Sequence, residues 1–279
     1  MTAGLAAAAI EVLAAAEPAE KIRLTNLHAE AWRAGRLAPP APGDPRPPER
    51  PGRPARPELR PPREMPARRK AGSLAGRVAL LHALAHIELN AIDLSWDIVA
   101  RFGAASEGGV PVPRAFCEDW VSVAHDEARH FGMLARRLEE LGSAYGALPA
   151  HDGLWQASQE TAHDMAARLA IVPLVLEARG LDVTPATVEN LRRFGDDPSA
   201  DILQIIHDDE IGHVAAGRRW FGWVCARRGC DTVTTWQELV RRHFRGMLKP
   251  PFNIESRSRA EFGPEFYVPL VEQDPPRGE

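Results

Sequence analysis

The feature that most restricts this chain is a five-residue pattern that occurs twice, Asp126-Glu127-Ala128-Arg129-His130 and Asp209-Glu210-Ile211-Gly212-His213. In a helix, residues three apart share a face, so the Glu and His of each copy can reach one ion. Glu-x-x-His alone is a weak signal: roughly one copy is expected by chance, and a third stands at Glu160 and His163. With the preceding Asp the chance expectation falls to about 0.04 per chain, and Glu160 lacks that Asp. The doubled longer pattern is therefore the specific one.

Two more acids lie in apolar surroundings, Glu88 in HIELNAIDL and Glu177 in IVPLVLEARGL. A carboxylate is costly to bury unless it is paired or holds a metal. Taken singly, Glu88 or Glu177 reads equally well as an acid paired with an arginine such as Arg168 or Arg179. Taken together, the order Glu88, Glu127/His130, Glu177, Glu210/His213 alternates one contribution per helix. Four carboxylates and two imidazoles arranged so are the donor set of a di-metal site inside a ferritin-like helix bundle. Oxygen and imidazole ligands suit two iron ions, with manganese as the alternative, and no thiolate is placed to select zinc. A metal-bound imidazole usually donates its other N–H to a carboxylate, and Asp126 and Asp209 are the expected acceptors, each for the His of the opposite helix.

The chain around these motifs reads as helical. Long segments are expected over 73–102, 114–141, 154–179 and 199–228, the last three stopped at Gly142, Gly180 and Gly229. A short helix over 185–194 and a last one over 235–247 precede a proline-containing tail, and no convincing strand is evident. Helices of this length measure about 40–45 Å, as a four-helix bundle requires. The expected fold is all-α: a ferritin-like four-helix bundle over 72–230, an N-terminal helical segment over 1–37, and a C-terminal helix and tail over 231–279 packed on the bundle. Between them, 38–71 is a Pro/Arg-rich extended arm or linker. Twelve of the 25 prolines fall between Pro39 and Pro66, and proline denies helix both an amide proton and the conformation of the preceding residue. Residues 44–70 carry nine basic and four acidic side chains, an excess read mainly as a solvated linker, with RNA or a membrane surface as the rival partner.

Other residues have ordinary readings. His82 and His86 are turned well away from Glu88 on their helix and belong to its second face. His125 and His207 precede the two motifs as structural histidines, and Trp220, Trp223 and Trp236 are packing residues. Glu160 and His163 lie too far along the helix from Glu177 to share its site. The net charge of −4 opposes bulk nucleic-acid coating, and 44% apolar residues permit a sizeable core. Cys117, Cys225 and Cys230 match no zinc spacing and point to a reducing compartment without disulfides. The alanine-rich N-terminus lacks a basic region and is interrupted by Glu11, which favours an amphipathic helix over a signal peptide. Without an evident apolar run of membrane-spanning length, a cytoplasmic protein with no membrane partner is expected.

On AHIELNAIDL, DEARHF, ARLAIVPLVLEARGLDVTP, DDEIGHV and KPPFN, across roughly residues 75–255, the chain resembles the ferritin-like family catalogued as domain of unknown function 455. That family is similar to the MiaE-type tRNA hydroxylases, which use a di-iron centre to activate dioxygen. The resemblance implies the fold and metal site and supplies no substrate. The leading expectation is an oxygen-activating di-iron oxidase or hydroxylase with dioxygen, an electron donor and an unidentified small-molecule substrate. An iron-handling bundle for storage or peroxide scavenging is the second, and a tRNA-modifying hydroxylase the third. A homodimer is compatible with all three.

Overall fold

A computed structural model describes residues 4–61, 64–65 and 72–273. Part of the basic stretch, at 62–63 and 66–71, lies outside the described residues, as do the last six residues of the tail. The chain is predominantly helical, with helices α1 (Leu5–Ala14), α2 (Pro18–Arg33), α3 (Leu74–Phe102), α4 (Arg114–Glu140), α5 (Gly153–Glu160), α6 (Met165–Ile171), α7 (Ala178–Arg193), α8 (Asp197–Arg228), α9 (Thr232–His243), α10 (Ile254–Arg259) and α11 (Pro264–Gln273). Two-residue strands at Ser106–Glu107 and Val110–Pro111 pair as a small hairpin, which the sequence did not announce.

The chain forms two compact units. One comprises residues 1–106, 111–156 and 190–202; the other comprises 107–110, 157–189 and 203–279. In the first, α3 packs along α4, and α1 and α2 pack on α3 and α4 respectively. Ser73 caps α3 by accepting the Gly76 N–H at 3.1 Å, which satisfies one of the unbonded donors of a first turn. From Leu89 to Val99 every residue of α3 is buried, so the helix is covered on all sides. By length and composition it is apolar enough to cross a membrane, and 67% of its most apolar window is buried inside the protein. That burial is the pattern of a core helix.

The N-terminal segment is two helices, not one, because Pro18 opens α2 at a first-turn position where its missing N–H costs nothing. The described residues 38–61 of the arm pack on the rest of the first unit. Gly52 N–H donates to Leu13 O at 2.7 Å, and a β-carbon on Gly52 would lie 2.4 Å from Ala14 O, so only glycine allows this approach. Leu59 forms a parallel bridge with Ala150, Trp155 donates to Glu49 O at 3.0 Å, and Arg50 pairs with Asp152.

In the second unit the expected helix over 154–179 is corrected. It breaks at 161–164, where Asp164 caps α6 through the Ala166 N–H at 2.8 Å. The run then continues through Gly180 and Pro185 to Arg193 without stopping. Gly142 and Gly229 adopt the left-handed conformation that ends a helix, φ 74° and 65°. Gly180 does not, so the residue type alone misled. Between α6 and α7, Val172–Glu177 is π-helical. Pro173 sits at its start and cannot donate a helical hydrogen bond, which makes a widened turn an economical solution there. Gly217 of α8 closes on this segment: a β-carbon there would lie 2.5 Å from Pro173 Cβ.

The tail is helical too. Trp236 of α9 is fully buried against Phe262 and Phe266 and donates to Ala170 O at 3.2 Å. Arg257 of α10 forms a two-pronged pair with Asp182 at 2.7 and 2.8 Å, and lies over Phe252, Phe262 and Tyr267. A buried, planar guanidinium with both a carboxylate and aromatic faces anchors the segment after KPPFN.

Candidate metal centre

Helix α3 buries three carboxylates, and their surroundings separate them. Asp93 accepts from Lys21 Nζ at 2.5 Å and from Arg53. Asp97 is held by Arg101 one turn on, at 2.7 and 3.1 Å. Glu88 instead faces His130 and Glu127 of α4, with His130 Nδ1 3.2 Å from Glu88 Oε2 and 3.5 Å from Glu127 Oε2. Glu127 and His130 are completely buried and Glu88 is 3% exposed. Each of the three offers a ligand atom, and these atoms lie within 4.8 Å of one another.

Burial drives the Glu88 carboxyl well above its ordinary range, and the Glu127 carboxylate beside it pushes the same way, against the hydrogen bond from His130. Two carboxylates in a dry pocket cannot both ionise comfortably unless a cation neutralises them. The donor set fits a divalent metal: oxygens and one imidazole suit iron or manganese, and no cysteine belongs to the group among the described residues.

The second motif forms its own pair in the second unit. Glu210 and His213 of α8 are buried, with His213 Nδ1 3.6 Å from Glu210 Oε2. Glu177, half-buried, is the last residue of the π-helical segment, so the widened turn sets the direction of its side chain. Arg168 is fully buried and donates to Thr161 Oγ1 at 3.0 Å and Ser158 O at 2.6 Å. Arg179 donates to Lys249 O at 2.6 Å. Asp126 is half-buried and lies 3.4 Å from Arg129; Asp209 is half-buried.

The remaining histidines take structural places. His82 accepts the Gly146 N–H at 2.9 Å and stacks on Tyr145. His86 Nδ1 contacts Tyr145 Oη at 2.8 Å, and its Nε2 lies 3.1 Å from His151 O. Burial pulls the His86 pKa down to about 4, so the ring is neutral. His207 Nε2 lies 3.3 Å from Ser256 Oγ. His125 is half-buried, its pKa lowered by burial and then by Arg33. What sequence reasoning missed is the polar chain behind α3, running Lys21, Asp93, Arg53, Asn90, His86, Tyr145. The arginine comes from the arm, so no pattern within α3 could have revealed it.

The family described as "Protein of unknown function (DUF455)" matches residues 14–268. The chain belongs to this family. Every residue of the two motifs, with Glu88 and Glu177, falls inside the DUF455 region. An "Uncharacterized protein" of Haemophilus influenzae is 41% identical over 201 residues, covering 72% of this chain and 69% of that protein. No solved structure matches. DUF455 membership thus fixes kinship, and the chemistry has to be argued from the buried Glu/His group itself.

Proposed function

We propose that the chain is a carboxylate-bridged di-iron protein that activates dioxygen to oxidise or hydroxylate an organic substrate. The observation that carries this reading is the buried trio Glu88, Glu127 and His130, whose ligand atoms converge where no water would neutralise two carboxylates. The doubled Asp-Glu-x-x-His pattern then assigns a matching half to Glu177, Glu210 and His213. In this reading Glu88, Glu127, Glu177 and Glu210 would supply the oxygen donors that hold the iron pair, and His130 and His213 the nitrogen donors. Asp126 and Asp209 orient the imidazoles.

When bound, a reduced iron pair would supply the electrons that dioxygen needs to become an oxidant. The chain's own residues do the rest. Glu88, Glu127 and His130 are themselves buried, on helices whose neighbouring positions Leu89, Ile92, Ala124 and Phe131 are buried as well, so the group is shielded from water. Dryness strengthens each carboxylate–cation contact and protects an oxidant from water. The arm's positive charge gives little support to an RNA reading, because Arg50, Arg53 and Arg60 are already paired with Asp152, Asp93 and Glu58.

The test is metal content and optical spectrum of the full chain after iron-supplemented expression, beside Glu127→Ala and Glu210→Ala. Two irons per chain, lost in both variants, with near-ultraviolet absorption that bleaches on reduction and returns with oxygen, is the expected result. A folded wild type that takes up neither iron nor manganese would overturn the reading. Reversible iron uptake without oxygen consumption would replace oxidase chemistry by iron handling.

A further inference from the structure

Away from the central group, the first unit holds a pocket of about 300 Å³ between the end of α2 and the first turns of α4. Trp32 and Arg33 line it from α2; Arg114, Glu118, Val121 and Ser122 line it from α4. Those four positions are three or four residues apart in sequence, so one face of α4 presents them together. α2 packs on α4, so the helices themselves hold the two walls in place.

The floor is apolar and the rim is charged. Trp32 and Val121 are each 1% exposed, whereas Arg33, Arg114, Glu118 and Ser122 are exposed. Arg114 lies over the Trp32 ring, 3.7 Å from its centre, and pairs with Glu118 at 2.9 Å. Arg33 has no ion pair among the described residues, and the Ser122 hydroxyl has no hydrogen bond there. Two guanidiniums therefore meet one carboxylate, which leaves a surplus of one positive charge on the rim. Below them the Trp32 indole N–H is buried without an acceptor.

We propose that this pocket binds a small organic monocarboxylate, held by Arg33 and Ser122 with its apolar part toward Trp32 and Val121. A single negative charge cancels the surplus. A dianion such as phosphate would overshoot it and face the Glu118 carboxylate. A guanidinium presents two parallel N–H donors that match the two oxygens of a carboxylate, and Arg33 has them unused. The volume lies at the small end of ligand pockets, which suits a compact acid. The pocket is also distinct from the central group: Ser122 stands about 7.5 Å before Glu127 along α4 and is turned about 140° from it.

The experiment is saturation-transfer NMR and calorimetry of the full-length protein with benzoate, and with inorganic phosphate as competitor. The samples are wild type, Arg33→Gln, Ser122→Gln, Glu118→Gln and Glu127→Ala. One benzoate per chain is expected, weakened about tenfold or more in Arg33→Gln, which loses a charge-assisted hydrogen bond. Ser122→Gln should abolish binding by filling the pocket, Glu118→Gln should tighten it by releasing Arg114, and Glu127→Ala should leave it unchanged. Equal affinity in wild type, Arg33→Gln and Ser122→Gln, with unchanged circular dichroism, would overturn the assignment. So would a folded wild type that binds no benzoate. Displacement of benzoate by phosphate at equal concentration would overturn the carboxylate class, and loss of benzoate only in Glu127→Ala would overturn the place. None of these results touches the iron reading, which rests on metal content in Glu127 and Glu210 variants.

Discussion

His130 Nδ1 on α4 lies 3.2 Å from Glu88 Oε2 on α3, joining two residues 42 positions apart inside a wholly buried pocket. The contact makes one donor group out of a motif on α4 and a single acid on α3. It also explains why Glu88 differs from its buried neighbours Asp93 and Asp97, each of which has a basic partner.

A buried ligand carboxylate should weaken the fold when no metal is present. Glu88→Leu is expected to raise the stability of the metal-free protein by about 1–4 kcal/mol, because it removes a desolvated acid facing Glu127. The same variant should fail to take up metal. Urea unfolding with chelator present, beside metal analysis, checks both halves; a destabilised apo variant would mean that Glu88 is a structural acid.

Asp93 gives the opposite expectation. Lys21 and Asp93 are both completely buried, and removing Lys21 leaves Arg53 alone to offset the Asp93 charge. Lys21→Met should cost about 1–3 kcal/mol while leaving metal content per folded chain unchanged. Denaturant midpoints and metal analysis on the same samples separate this network from the metal centre.

Acid stability should depend on Asp196. Burial raises its carboxyl, but hydrogen bonds from Ser199 and the ion pair with Arg137 outweigh it, so the net pKa lies below the ordinary value. A carboxyl with a depressed folded pKa stabilises the fold above its unfolded pKa and loses that contribution as pH falls through the folded value. Asp196→Asn should therefore be clearly less stable than wild type at pH 7, and the gap should close below about pH 4. A gap that is constant with pH would show that packing, and not charge, accounts for the loss.

The three cysteines should react unequally. Burial pushes the Cys117 thiol up to about 12, and burial with the Cys230 contact does the same for Cys225. The thiolate is the reactive form. At pH 8 iodoacetamide should modify the half-exposed Cys230 in the native protein and all three thiols in denaturant. Peptide mass spectrometry reads this directly, and native labelling of Cys117 would indicate that the α3–α4 core opens.

The family, the helical class and the burial of a Glu/His cluster that could hold a metal were legible in the sequence, because an acid in an apolar helix and a Glu-x-x-His on one helix face are local patterns. Helix ends were less legible. Gly142 and Gly229 end helices and Gly180 does not, and the difference is a backbone angle that tertiary packing selects. The π-helical turn before Glu177 was hidden because Pro173 marks a disturbed helix without saying whether it bends, breaks or widens. The partners of Asp93 were hidden for another reason: Lys21 and Arg53 reach it from 72 and 40 residues away. By itself the sequence determined which side chains must be compensated if buried, since that follows from charge and periodicity. Only the tertiary structure decided what compensates each one, because a partner from a distant segment is chosen by packing and leaves no periodic trace.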